Sequence, residues 1–268
     1  MLSVVIPTRN ESANIADCIH AFDALAARGD AEVLVVDNAS DDGTQEIARK
    51  AGAKVFVQGP ERCAQRNRGW REAKGECVMF VDADMIVPTE TQEEIVRTLS
   101  GPSAPDALYV REVRTGDGFR IKWRNFERSF YDATPIDGLR VLRRSLLERV
   151  GGYDESLVAC EDWDLDRRVL ALGARVALTE GHLFHNERLM TAARHLAKKK
   201  YYATTMDAYR RKWNDDAYVR RQFSPWYRLF GVFFERGKWR RVLRHPILYA
   251  TILLDRVAVG FVYLIARR

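Results

Sequence analysis

Hydrophobic positions in the first hundred residues form two kinds of run. LSVVI (2–6), EVLVV (32–36), AKVFV (53–57) and ECVMFV (76–81) are short, continuous and rich in β-branched residues, as strands buried on both faces are. Between them, residues 12–27, 42–51 and 61–74 place apolar side chains at helical spacing. Strand–helix alternation of this kind predicts an α/β fold, a mostly parallel sheet wrapped by helices. Right-handed crossovers then put every strand's C-terminal end on one edge, where open sheets bind ligands. That edge receives PTRNE after the first strand, DNASDDGT after the second and DADM after the fourth.

GPSAPD (101–106) is a turn-rich break. Beyond it come a strand-like ALYVREV, an aromatic amphipathic stretch near 119–131, and a short helix closed by Gly151–Gly152. An acid-rich helix start, CEDWDLDRRVLALG, ends at Gly173 before the strand-like RVALTE. The expected division is an α/β domain over 1–187, in two halves of 1–100 and 101–187. A basic helical region, 188–268, follows.

Charge sharpens that division. The net +6 conceals 19 Lys+Arg against 5 Asp+Glu after residue 187, and an excess of acid before it. Cys18, Cys63, Cys77 and Cys160 lie far apart without a CxxC pair, which disfavours zinc or a disulfide framework and suits a reducing compartment. Met1 leads directly into a strand, so the expected location is cytoplasmic.

The strongest chemical signal is Asp82-Ala83-Asp84 at the end of a buried strand. Two carboxylates on such a bend converge readily on a hard cation, which could hold a diphosphate and neutralise a leaving group. A polar turn capping the strand is the plainer reading. Asp37 is placed to accept from a nucleobase or ribose, or to form an Asx turn. Thr8, Asn10 and Glu11 follow the first strand, and Glu11 could meet base or ribose or favour a helix dipole. Arg66 could clamp phosphate or ribose oxygens, or be a solvated helix residue. Deprotonating a sugar hydroxyl needs one positioned carboxylate, Asp162 or Glu161, although acids also suit a first helical turn. Trp163 suits an acceptor sugar ring or a core. His185 could add a ligand or be structural.

In order along the chain, SVVIPTRNE, VVDNASDDGT, RNRG, FVDAD, GGYDES and EDWDLDRR resemble the successive blocks of family 2 glycosyltransferases, which have the GT-A fold. The resemblance spans about residues 2–185. It implies inverting transfer from a UDP-, GDP- or TDP-sugar with Mn²⁺ or Mg²⁺ on the DxD. By position it implies that Pro7, Thr8, Asn10, Glu11, Asp37 and Arg66 bind nucleotide, and that Asp82 meets ribose or metal. Asp84 and His185 would bind metal and Asp162, rather than Glu161, would be the base. HNE at 185–187 departs from the glycine with which relatives often continue after the histidine.

The C-terminal third interleaves Lys and Arg with Trp, Tyr and Phe, a pattern suited to helices on an anionic membrane surface. No nucleic-acid motif accompanies the charge. Residues 247–265 approach spanning length, but Asp255 and Arg256 at their middle each cost about 2.5–3.5 kcal/mol to insert. The expectation is a peripheral or monotopic enzyme at the cytoplasmic face of the cell membrane, acting on a lipid-linked or saccharide acceptor. The alternative is a catalytically silent nucleotide-sugar or lipid-binding scaffold. A dehydrogenase is disfavoured, because no GxGxxG follows the first strand.

Overall fold

Every residue of β1 (Leu2–Thr8) is buried, because helices cover both faces of the sheet to which it is central. β2 (Ala31–Asp37), β3 (Lys54–Val57) and β4 (Cys77–Phe80) stand where the apolar runs predict. β1 pairs in parallel with β2 and β4, and β2 with β3. Alternate side chains enter different cores. Val4, Ile6, Val35 and Met79 pack with α1 (Ile15–His20), α2 (Asp23–Ala27) and α5 (Thr89–Ser100). Val5, Val36, Val78 and Phe80 pack with α4 (Arg62–Glu72), α7 (Arg144–Val150) and α8 (Glu161–Ala171). A Cβ on Gly69 would lie 2.2 Å from Val5 Cγ1, so α4 sits against β1 only because Gly69 has none.

The computed structural model describes residues 1–187, 197, 202, 205–214 and 216–266. Among these, strand order in the sheet is β3-β2-β1-β4-β7-β6-β8-β5. β5 is Met85–Ile86, β6 Ala107–Thr115, β7 Val141–Arg143 and β8 Val176–Asn186. The mostly parallel sheet thus carries antiparallel pairings, β7 with β4 and β6, and β5 with β8. The helical stretch 12–27 divides at Ala21–Phe22, which lets Phe22 turn wholly into the core. α3 (Thr44–Lys50) and α6 (Gly118–Arg128) occupy expected segments, whereas β7 and α5 carry no clear signature in the chain pattern. β8 runs well past RVALTE, through His185.

The described C-terminal residues are helical, including Ala217–Phe223, Trp239–Arg244 and Pro246–Ala266. Their Tyr227, Val232, Phe233, Val242 and Ile252 form one buried cluster with Trp123, Phe130 and Ile136. Arg256 pairs with Glu127 of α6 at 2.9 Å. No helix among the described residues is long and apolar enough to cross a membrane. Most of the basic stretch 188–204 lies outside the described residues, so its predicted amphipathic face is not among the features described.

Candidate active site

The loops after β1 and β2 hold each other. Ser40 Oγ accepts from Asn10 N (2.8 Å), Asn10 Oδ1 from Asp41 N (3.1 Å), and Thr44 Oγ1 from Glu11 N (2.9 Å). Asp37 is wholly buried beneath them. Its carboxylate accepts from Ser40 N (2.8 Å), Gln45 Nε2 (2.7 Å) and Ser40 Oγ, a side-chain-to-backbone bond three residues on that ties down the loop after β2. Thr8 is buried with no partner for Oγ1 among the described residues.

A cavity of about 230 Å³ opens beside these loops, walled by Pro7, Thr8, Glu11, Arg62, Asp84 and His185, among others. Burial, and secondarily the nearby Asp84, Asp42 and Asp82, push the Glu11 carboxyl above its ordinary range despite a bond from Asn14. The register Met85↔His185 between β5 and β8 brings His185 beside Asp84, with Nε2 3.2 Å from Asp84 Oδ2. Nδ1 lies 3.1 Å from Glu112 Oε1. Burial disfavours the imidazolium, but the bonds to Asp84 and Glu112 outweigh it and hold His185 at about 9.

A divalent cation would fit this pair by displacing the proton that His185 Nε2 shares with Asp84. Asp84 and His185 supply a carboxylate oxygen and an imidazole nitrogen on one wall of the cavity, and Glu112 fixes the opposite ring nitrogen, the usual support of a ligating histidine. Among the described residues no group of three or more His, Cys, Asp or Glu is arranged to hold a metal alone. Such a cation would therefore complete its shell with water and phosphate oxygens, as Mg²⁺ commonly does.

Asp82 is engaged by arginines. Its oxygens accept from Arg66 Nη2 (3.2 Å) and Arg140 Nη1 (3.4 Å). Burial would raise its carboxyl, but Arg140, Arg66 and Arg62 hold it far below the usual range. Arg66 is buried, and Nη1 donates to Asp162 Oδ1 at 2.8 Å. It lies over the Tyr153 ring, 5.1 Å from the centroid. Asn67 fixes that ring, since Oδ1 accepts from Tyr153 N (2.8 Å) and Nδ2 donates to Tyr153 O (2.9 Å). Gly152, at φ +75°, must lack a Cβ here, because one would lie 2.4 Å from Asn67 Oδ1. The RNRG and GGYDES blocks are thus two halves of one clamp.

Glu161 and Asp162 diverge at the start of α8. Glu161 is buried against Arg62 (3.1 Å) and Arg66 (3.5 Å), with its side chain 6% exposed. Burial, then the adjacent Asp162, raises its carboxyl above the ordinary range. Asp162 is 37% exposed and lines a second cavity of about 200 Å³ with Glu112, Arg128, Asp137, Arg140 and Trp163. Arg66 therefore links Asp82, in the wall of the cavity bearing Asp84–His185, to Asp162, in the wall of the other.

Residues 3–153 match the sequence profile of "Glycosyl transferase family 2". The chain belongs to that family. Glycosyltransferase AglE of Haloferax volcanii is 35% identical over 37% of this chain and 36% of its own length. A dolichol-phosphate mannosyltransferase of Pyrococcus furiosus is 30% identical over 41% of this chain and 34% of its own. The chain thus spans only about a third of the length of these curated relatives. A mannosyltransferase from Pyrobaculum calidifontis, solved with GDP-Man and Mn²⁺, superposes with TM-score 0.64 at 23% identity. That superposition covers 99% of this chain and 85% of the other. The GT-A fold implied by the family's sequence blocks is the fold observed.

Arg62, Glu112, Arg140 and Tyr153 emerge only in three dimensions as site residues. Arg62 had a signal, standing four residues before Arg66 on one helical face. Glu112 had a weaker one, a charge inside an apolar strand run. Nothing in the chain pattern points to Arg140.

Proposed function

We propose that this chain transfers a sugar from a nucleotide diphosphate donor to an acceptor, with inversion at C1 in a single displacement. The observation that carries this reading is the pairing of two cavities across Arg66, one fitted for a diphosphate and its cation, the other for an acceptor and its base. The Pro7–Glu11 loop would hold the nucleotide, with Thr8 Oγ1 free to bond it. Asp84 and His185 would hold Mn²⁺ or Mg²⁺, which supplies neutralising charge to the departing diphosphate. Arg62, on the same cavity wall, would add a guanidinium to phosphate oxygens. Arg66 occupies one oxygen of Asp162, leaving the other to accept a proton from an attacking hydroxyl. The acceptor oxygen then bonds C1 as the bond from C1 to the diphosphate oxygen breaks.

The acceptor we favour is a lipid-linked saccharide or polyprenyl phosphate at the cytoplasmic membrane face. Support comes from the dolichol-phosphate relative and from the apolar surface of the C-terminal helices, where Trp226, Leu243, Ile247, Leu254 and Phe261 are all exposed. Attachment to anionic lipid would be peripheral or monotopic.

The test is a thermal-shift screen of UDP-, GDP- and TDP-sugars with and without Mn²⁺, followed by a transfer assay. A ligand bound only by the folded state raises the unfolding temperature. One donor should stabilise the wild type in a metal-dependent manner, and Asp84→Asn should lose that dependence. Equal donor binding and turnover in chelator would refute the metal assignment. Donor binding without any turnover would favour the silent scaffold.

A further inference from the structure

Between α8 and the C-terminal helices runs a largely apolar groove of about 660 Å³, walled by Trp163, Phe223, Leu229, Val257 and Phe261. Three arginines also line it, Arg210, Arg228 and Arg256, and Arg210 lies over Phe223 with Asp207 4.0 Å away. Arg256, its side chain 8% exposed, gives Nε and Nη2 to Glu127 and Nη2 also to Tyr131. Its buried Nη1 has no hydrogen-bond partner among the described residues. Arg228 is half-buried and lies over Trp163 at 5.8 Å, and its guanidinium has no hydrogen bond or ion pair among the described residues. Burial pushes its guanidinium below the ordinary arginine range.

Leaving a buried donor such as Arg256 Nη1 unbonded is costly, and with the unpaired guanidinium of half-buried Arg228 lining the same groove it forms a ready anion site. The rest of the wall is hydrocarbon, so inorganic phosphate alone would leave the groove unfilled and a neutral lipid would leave the arginines unbonded. Val257 and Phe261 belong both to the groove and to the exposed apolar face, so a chain can enter from a bilayer. Trp163 is shared with the Asp162 cavity, which places the groove's inner end beside the proposed acceptor position. A phosphomonoester suits two guanidiniums better than a phosphodiester, because it offers more charge and more terminal oxygens.

We propose that this groove binds a long-chain lipid monoester phosphate, its headgroup on Arg228 and Arg256 and its chain along Phe223, Leu229 and Val257. This rests on the lipid-acceptor reading above and gives it a location.

The experiment is direct binding of farnesyl phosphate to the full chain by calorimetry, with farnesol and inorganic phosphate as comparisons. Two variants report on the groove. Arg228→Gln removes a charge that holds no ion pair, and Gly260→Leu projects into the groove from a position where an added Cβ meets nothing within 4 Å. Each should weaken farnesyl phosphate about tenfold, the equivalent of one charge-assisted hydrogen bond or a comparable apolar loss. Nucleotide-sugar thermal shifts should not change. Farnesol binding as tightly, inorganic phosphate binding as tightly, or both variants binding like wild type would each overturn the proposal. Groove-dependent binding without sugar transfer to lipid phosphate would support the groove and refute the lipid-acceptor reading. Transfer to lipid phosphate that neither variant weakens would do the reverse.

Discussion

Arg66 reaches Asp82 and Asp162 with different nitrogens of one rigid fork, and lysine has no such fork. Arg66→Lys should therefore keep the charge but release one carboxylate. Turnover at saturating donor should fall on the order of a hundredfold, as expected when a catalytic group is misplaced by about 1 Å. Wild-type turnover in Arg66→Lys would mean that the arginine merely balances charge. Asp162→Asn, assayed on a hydroxyl acceptor, should lose about 10²–10⁴-fold in turnover with little change in donor affinity. Glu161→Gln should act chiefly on stability, since Glu161 is enclosed by Arg62 and Arg66. A larger turnover loss in Glu161→Gln would reverse their roles. Asp84, Asp162 and the Pro7–Glu11 loop were legible in the chain because short motifs at strand and helix ends put them there. Asp37 was legible in place, at the end of β2, and its partners within the described residues are Ser40 and Gln45. Arg140 was not legible and Glu112 only faintly so, since their part depends on registers between strands far apart in sequence.

Glu187 ties β8 to α6. It accepts from Arg114 (2.8 Å) and Arg124 (2.8 Å), and Arg120 approaches to 3.2 Å. Burial would raise its carboxyl, but those arginines hold it at about 2 against an ordinary 4.5. A folded-state value below the unfolded one means that the stabilisation is complete above about pH 4.5 and disappears as pH falls toward 2. Glu187→Gln should cost roughly 3 kcal/mol at pH 7, the scale of a broken buried pair. Urea unfolding at pH 7 and pH 4 should show a smaller acid loss in the variant than in wild type, and parallel losses would refute the assignment. Most elements were visible from periodicity. β7 was not, because three residues are too few to show a period.

For the whole molecule, the C-terminal helices are both packing partner and surface. They bury Phe130 and Trp123 on one side and expose Trp226, Leu243, Ile247 and Leu254 on the other. Deleting residues after 224 should therefore yield an aggregating, destabilised protein. The full chain should sediment with anionic liposomes and stay partly bound in high salt, because buried apolar side chains are not screened as charges are. Replacing Trp226, Leu243 and Ile247 together with Ser should release it. Retention in the supernatant at low and high salt alike would point instead to a soluble acceptor.

The pairing of β5 with β8 carries a consequence for synthesis. Asp84 and its histidine partner are 101 residues apart, whereas the β1, β2 and β4 framework is complete by residue 80. A chain emerging from the ribosome can assemble that framework long before His185 exists. Long-range pairing pays its loop-closure entropy last. Pulse-labelled hydrogen exchange during refolding should find β1, β2 and β4 protected before β5 and β8. A nascent chain stopped near residue 150 would then present the loops after β1 and β2 without the histidine proposed to hold the cation.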